Sequence, residues 1–350
     1  MPPLPTGGTV AVTGAAGFIG GWMVRTLLDH GYRVRACVRN ADDDARVAFL
    51  KAMPGFASGR LTLHSADLDE DGCFDDIFPG CHAVAHLSHV TDYSDQDYVD
   101  RVCGHIIGAI DRAETVSRVV VTSSLAAVIS EVELEELRRR PVIYEDRYPD
   151  STNPKRSAAN QGYAITKERA EGLFAAAAAI NSRWDSIACC PSDNVGPILA
   201  PHQRKGAWQH QVARMLEGDY EQSWAYRPWF PVDVRDCAIA HLGLLESTRV
   251  RNGERYLAWS TDAVTVETIC ARIATLLPEL DFRVSEPRDQ HPDKLKAREA
   301  YFRSCWDGCD LRNDRIRDCL GLTFRSFDES LRDCVESLIS VAGVQSVQRG

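Results

Sequence analysis

The spacing of apolar and polar positions changes period several times along the chain, and each change marks an element. Thr9-Val-Ala-Val is a run of β-favouring or small residues that leads into glycines at 14, 17 and 20, and Trp22-Met-Val-Arg-Thr-Leu-Leu28 then takes up the helical period. The pattern predicts strand, tight turn, helix. Further strands are expected at Tyr32–Val38, Leu61–Leu68 and His82–Ser88, and a β-branched strand buried on both faces at Val116–Ser124. Short helices are predicted near Asp71–Phe78 and Glu131–Arg140. An alanine-rich helix opens at Tyr163 and runs to about Asn181, and Ser186–Cys190 reads as a sixth strand.

This alternation of strand and helix predicts an α/β fold on a doubly wound parallel sheet. Beyond Cys190 the rhythm breaks down. Trp208, Trp224, Tyr226, Trp229 and Phe230 crowd into a short span that either lines a substrate pocket or forms an aromatic core. Val232-Asp-Val-Arg-Asp236 then precedes a helix at Cys237–Glu246. We therefore expect a cofactor-binding domain over residues 1–190, with 232–260 returning to it, and a smaller α/β substrate lobe from 191–231 and 261–350.

At 350 residues the chain has room for about two domains at ~150 residues each. Its 44% hydrophobic and 26% charged residues are those of a soluble globular protein, and no apolar run approaches the ~20 residues needed to span a bilayer. The first residues, Met-Pro-Pro-Leu-Pro-Thr, show neither a basic nor an apolar signal region, so a cytoplasmic protein is expected. A net charge of −10 argues against a nucleic-acid surface, and the short basic runs Leu137–Arg140 and His202-Gln-Arg-Lys205 read as solvated faces. The 12 cysteines are scattered and expected to be reduced and buried. Neither Cys189-Cys190 nor Cys305-x-x-x-Cys309 has zinc-site spacing, so no metal is assigned.

Chemistry enters with the glycines. Gly14-x-x-Gly17-x-x-Gly20 is one residue longer in its first gap than the Gly-x-Gly-x-x-Gly fingerprint of dinucleotide sites. An ordinary glycine-rich turn is the alternative, but strand before and helix after favour a phosphate-binding turn facing the helix dipole. Arg39 closes the second strand, where an acidic residue would bind a ribose 2′-OH and an arginine a 2′-phosphate. With Arg46 it favours NADPH over NADH, against the opposing run Asp42-Asp-Asp44. Asp67 either bonds the adenine amino group or caps a helix. His86 reads as structural. Thr122-Ser-Ser124 ends a strand at the ligand-binding edge, and Tyr163 and Lys167, four apart, share one helix face.

Together these residues resemble the extended short-chain dehydrogenase/reductase family and, within it, the dihydroflavonol-reductase-like group of ketone and aldehyde reductases. The resemblance rests on Thr-Gly-x-x-Gly-Phe-Ile-Gly at 13–20, Val-Arg at 38–39, Ala-Asp-Leu at 66–68, Thr-Ser-Ser at 122–124 and Tyr-x-x-x-Lys at 163–167. It continues with Pro-x-x-x-Val-Gly-Pro at 191–197 and Val-Asp-Val-Arg-Asp at 232–236. It implies a Rossmann-type fold and a catalytic Ser124, Tyr163 and Lys167. Tyr163 would protonate the carbonyl oxygen, Ser124 would orient it, and Lys167 would serve both the phenol and the nicotinamide ribose. NADP(H) would be held by Thr13, Gly14, Gly17, Phe18, Ile19 and Gly20, by Arg39, Arg46, Asp67 and Leu68, and by Leu87, Ser88, Pro191 and Val195. The partner implied is a small-molecule carbonyl compound, with no nucleic acid and no membrane, and the chain a monomer or homodimer.

The chain departs from the group at several positions. Gly162 replaces the aromatic residue that often precedes the tyrosine, and Ile129 stands where plant flavonoid reductases carry a substrate-binding asparagine. Ala159-Asn-Gln-Gly replaces the signature of the cinnamoyl-CoA reductases. The carbonyl substrate is therefore expected to be a different one, contacted by His89, Ile129, Asp193, Asn194 and Trp229. Other readings of the same fold are a hydroxysteroid-type alcohol dehydrogenase and a sugar-nucleotide epimerase or dehydratase, though Leu125-Ala126 follows Ser124 where dehydratases place Asp-Glu. A non-catalytic NADP-sensing regulator is the remaining alternative; such proteins typically lose Tyr-x-x-x-Lys.

Overall fold

The computed structural model describes residues 1–90, 92–129, 134, 142–145, 158–218, 229–259, 264–280, 282, 297, 300, 301 and 303–347. Seven parallel strands form the central sheet: β1 (Thr9–Thr13), β2 (Arg33–Val38), β3 (Leu61–Ser65), β4 (Ala83–His86), β5 (Arg118–Thr122), β6 (Asp185–Pro191) and β7 (Arg255–Ala258). Their order is β7-β6-β5-β4-β1-β2-β3. The chain starts in the middle, winds to one edge, and returns past β1 to build the other. The reversal between β1 and β4 opens a crevice at their carboxyl ends, where sheets of this kind bind ligands.

Helices follow in chain order as α1 (Phe18–Asp29), α2 (Asp44–Lys51), α3 (Gln96–Ala113), α4 (Ala158–Asn181), α5 (Ala207–Leu216), α6 (Val234–Glu246), α7 (Val266–Leu276), α8 (Asp314–Leu320) and α9 (Phe327–Ala342). The period of two in the strands assigns them to faces. Val10, Val12, Val34, Ala36 and Val120 pack with α1 and α6 on one face. Ala11, Cys37, Val84, Val119 and Val121 pack with α3 and α4 on the other. Both faces are covered, which is why the strands read as continuous apolar runs.

A separate core joins α5, α7 and α9 around Trp229, beside a two-stranded parallel ribbon of Asp193–Val195 and Pro231–Asp233. The far end of the sheet is tied by a buried bidentate pair, with Arg118 Nε 2.8 Å from Asp185 Oδ1 and Nη2 2.9 Å from Oδ2.

Three elements differ from expectation. Residues 71–78 form a run of turns rather than a helix, because Gly72 adopts φ +78° and interrupts the helical path. α4 starts five residues before Tyr163. α6 starts three residues early because Asp233, whose side chain accepts from Arg235 N at 2.8 Å, is its N-cap. The predicted helix at 131–140 lies outside the described residues except for Leu134, as do Trp224 and Tyr226.

Candidate active site

The turn between β1 and α1 is built by close approach. Gly14 has φ +67°, and a Cβ there would lie 2.9 Å from Ser88 N; a Cβ on Gly20 would lie 2.1 Å from Gly14 O. Residue 20 must be glycine for α1 to seat on the turn. Gly17 is the N-cap of α1 and makes no side-chain cap, leaving the first amides of the helix directed at the crevice.

Thr13 fastens this turn to the end of β4. Its Oγ1 accepts from Leu87 N (3.1 Å), Ser88 N (3.2 Å) and Ser88 Oγ (2.7 Å), and lies 2.8 Å from His86 Nδ1. Burial holds the His86 ring down to about pKa 3, with Lys167 and His89 adding to the effect, so the ring is neutral and its Nδ1 can accept the threonine proton. His86 is structural, stacked on Phe174 with centroids 5.3 Å apart.

Residues 197–203, well beyond β6 in sequence, reach back to the same turn. His202 Nε2 lies 2.8 Å from Ala16 O, and Gln203 Nε2 donates to Gly17 O at 3.0 Å. Trp22 Nε1 donates to Pro197 O at 2.7 Å. The run at 202–205 is therefore not simply a solvated face: its first two side chains clamp the glycine turn, while Arg204 pairs with Glu217 and Lys205 is exposed.

A cavity of about 510 Å³ runs from Gly14 and Gly17 past Arg39, Asn40, Asp43 and Arg46 to Asp67, Leu68, Phe74 and Tyr98, and inward to Leu87, Ser88 and His89. Two of the three consecutive aspartates face away from it: Asp42 is exposed, and Asp44 is also exposed and pairs with Lys51 at 2.7 Å. Asp43 does line it. Arg39, 81% exposed, sits 3.7 Å from Asp67 Oδ2 through its Nε. Tyr98 was not anticipated. Its hydroxyl bonds the Asp69 carboxylate, which together with burial pushes the phenol up to about 12, and His105 Nδ1 lies 3.0 Å from Leu68 O. α3 thus anchors the Asp67–Asp69 loop.

At the other end of the crevice, β5 and α4 bring the predicted catalytic residues into one neighbourhood. Lys167 is 7% exposed, donates to Thr122 O at 3.1 Å, and has its ammonium 5.7 Å from the Tyr163 ring centroid. Ser124 Oγ accepts from Ala126 N at 3.2 Å, capping the short turn Leu125–Ala127, and its side chain is half-buried. Thr122 Oγ1 lies 2.7 Å from the fully buried His241 Nε2. One turn beyond Lys167, Glu171 accepts from Ser123 Oγ and pairs with Arg255 Nε at 2.7 Å. Burial raises the Glu171 carboxyl despite Arg255. Arg255 also donates to Ala127 O at 2.5 Å, so this buried network frames both flanks of Ser124.

His89 lies at the inner end of the cavity, where desolvation by the surrounding protein followed by the Lys167 charge lowers its pKa. Its Nδ1 lies 2.6 Å from Val90 O and 3.3 Å from the Tyr93 hydroxyl. Pro191, the last residue of β6, and Val195, in the ribbon that follows it, are both buried.

The remaining substrate candidates are not brought together. Trp229 is fully enclosed in the separate core of α5, α7 and α9, against Trp208 at 4.6 Å between ring centroids. Ile129 is 4% exposed and packs inward near Phe230 and Trp259. Asp193, 6% exposed, spends a carboxylate oxygen on Phe230 N at 2.8 Å. These three expectations are corrected: each side chain is sequestered by packing or by the ribbon it stabilises. Asn194 remains half-buried, donating to Ser192 O at 3.0 Å, while its Oδ1 has no partner among the described residues.

A doubly wound sheet with a glycine turn at its switch point, and a Ser, Tyr and Lys set beside it, defines an NAD(P)-dependent oxidoreductase. Residues 10–258 match the NAD dependent epimerase/dehydratase family, and the chain belongs to that family, the extended short-chain dehydrogenases/reductases. It is similar to dihydroflavonol 4-reductase of Zea mays, at 30% identity over 94% of this chain and 89% of that protein. It is also similar to cinnamoyl-CoA reductase CAD2 of Medicago truncatula, at 29% identity over 95% and 96%. Among solved structures, yeast methylglyoxal/isovaleraldehyde reductase Gre2 complexed with NADPH shares the fold with a TM-score of 0.75, at 22% identity over 96% of this chain and 99% of that one. Vestitone reductase of alfalfa does so with a TM-score of 0.72, at 24% identity over 95% and 98%.

Proposed function

We propose that the protein is an NADPH-dependent reductase that converts a ketone or aldehyde to an alcohol. The observation that carries the reading is the bond of Lys167 to the end of β5, two residues from Ser124, with Tyr163 beside the ammonium and linked through Tyr93 to His89 at the inner end of a cavity lined by Arg39 and Arg46. NADPH fits that cavity. The uncapped amides of α1 suit its pyrophosphate, the apolar patch of Leu68 and Phe74 suits adenine, and the two arginines suit a 2′-phosphate. When bound, the cofactor supplies the hydride.

The chain's own groups do the rest. Ser124 Oγ, oriented by its bond from Ala126 N, donates a hydrogen bond to the carbonyl oxygen and fixes its direction, keeping its own proton. Tyr163 delivers a proton to that oxygen, and an ammonium beside a phenol favours the phenolate left behind. Lys167 is immobilised by Thr122 O and so serves as a fixed charge. The same chemistry run backward oxidises a secondary alcohol.

The test is a panel of ketones and aldehydes read by NADPH absorbance, with chiral analysis of the alcohol formed and with Tyr163→Phe alongside. Removing one oxygen from Tyr163 leaves the ring, so NADPH binding measured by fluorescence persists while turnover falls roughly 10²–10⁴-fold. Retention of more than about a tenth of wild-type turnover by Tyr163→Phe contradicts general acid catalysis by this residue. Tight NADP binding with no turnover across the panel favours a cofactor-sensing regulator.

A further inference from the structure

Gly162 and Tyr93 stand at the catalytic end without a part in the scheme above, and they are in contact. A Cβ on residue 162 would lie 2.5 Å from the Tyr93 carbonyl oxygen and 3.0 Å from the Tyr93 Cβ. Both of those atoms belong to a turn that is itself held in place. Asp92 Oδ1 accepts from Ser94 N (2.8 Å) and Ser94 Oγ (2.6 Å), Gln96 Nε2 donates to Tyr93 O (3.2 Å), and Asp95 Oδ1 caps α3 from Tyr98 N (3.0 Å). The missing side chain lets this turn rest directly on the helix that carries Tyr163. Seated there, the Tyr93 ring meets the Tyr163 ring edge to face, with centroids 5.2 Å apart and planes at 76°.

We propose that Tyr93 is a positioning residue for the catalytic phenol, and that Gly162 is the opening that admits it. A tyrosine on a half-exposed helix face has several staggered orientations, of which one delivers the proton. Lys167 approaches the ring without gripping it, its ammonium 5.7 Å from the centroid. The edge-to-face contact restricts the ring itself, since aromatic pairs favour this geometry. Misplacing a reacting group by about 1 Å costs on the order of 10²-fold in rate, so a residue that touches no substrate can still set turnover. The inference rests on Tyr163 being the proton donor.

A double-mutant cycle of Tyr93→Ala and Tyr163→Phe, with turnover on a carbonyl substrate from the panel and NADPH affinity by fluorescence, tests it. Tyr93→Ala is expected to lower kcat roughly 10- to 100-fold with KM and NADPH affinity little changed. In the Tyr163→Phe background it is expected to cost nothing further, and Tyr93→Phe, which keeps the ring, is expected to restore turnover. Gly162→Ala approaches from the other side, displacing the turn without deleting a ring, and is expected to lower kcat in the same way. This second variant decides the matter if Tyr93→Ala does not fold. An unchanged kcat in either variant, or an equal fall in both backgrounds, overturns the proposal while leaving Tyr163 as the acid. Should Tyr163→Phe alone keep full turnover, the acid assignment fails and this inference with it.

Discussion

Lys167 Nζ donates to the Thr122 carbonyl oxygen at 3.1 Å, so one hydrogen bond joins the middle of α4 to the end of β5. Thr122 is gripped a second time through His241, whose Nε2 lies 2.7 Å from Oγ1. A rigid strand end therefore sets where the ammonium stands. A planar guanidinium on a longer stem does not reproduce this buried single-point contact, so Lys167→Arg is expected to fail almost as fully as Lys167→Met. Both should lose roughly 10²-fold or more in turnover and bind NADPH more weakly, as read by steady-state kinetics beside fluorescence titration.

Arg39 faces a weak partner. Its contact with Asp67, 3.7 Å long with the two side chains 81% and 35% exposed, is worth about 1 kcal/mol at most and yields readily to a phosphate. Arg39→Ala is expected to lower the ratio of kcat/KM for NADPH over NADH by about 10- to 100-fold, at 1.4 kcal/mol per tenfold. Arg39→Ala with Arg46→Ala should lower it further. An unchanged ratio removes both arginines from cofactor choice.

Two glycine-to-alanine changes should move stability in opposite directions. Gly20→Ala places a methyl 2.1 Å from the backbone oxygen of Gly14, and α1 must shift off the phosphate turn. A loss of roughly 1–3 kcal/mol is expected, together with NADPH binding. Gly104, inside α3, has nothing within 4 Å of its added Cβ. Gly104→Ala should gain about 0.5–1 kcal/mol. Urea unfolding of both variants checks the pair.

Acid should destabilise the fold through His86. Its folded pKa is about 3 against 6.5 for the free group, burial being the main cause. Between those values the unfolded chain binds a proton that the folded chain refuses. Stability present above pH 6.5 is therefore lost as pH falls toward 3, by about 1.4 kcal/mol per unit at this one site. His86→Asn, though less stable at pH 7, should close the gap with wild type by up to roughly 2 kcal/mol at pH 5, measured by urea unfolding at both pH values. A gap of constant width would show that His86 does not titrate with unfolding.

Sheet, glycine turn and the grouping of Tyr163 with Lys167 were legible because their signals are local. A strand period, a spacing of three between glycines, and a spacing of four on one helix face each survive without knowledge of packing. Trp229, Ile129 and Asp193 were misjudged because an aromatic or polar residue near a site in sequence carries no mark of which way it faces. Trp229 turns into the second core, and Asp193 bonds the ribbon beside it. Tyr98 and Gln203 left no local trace at all; they touch the cofactor crevice only because distant segments fold back on it. The trace of Tyr93 lay elsewhere in the sequence, at Gly162, where a bulky family residue is absent.

The bonds from His202 and Gln203 to the carbonyls of Ala16 and Gly17 make the mouth of the nucleotide crevice a joint product of two stretches almost two hundred residues apart. Anyone transplanting a foreign substrate lobe onto this scaffold would have to carry Pro197–Gln203 with the nucleotide half, or the graft would arrive with its phosphate turn unbraced. The boundary useful to an engineer thus runs behind that loop, well past the last residue of β6.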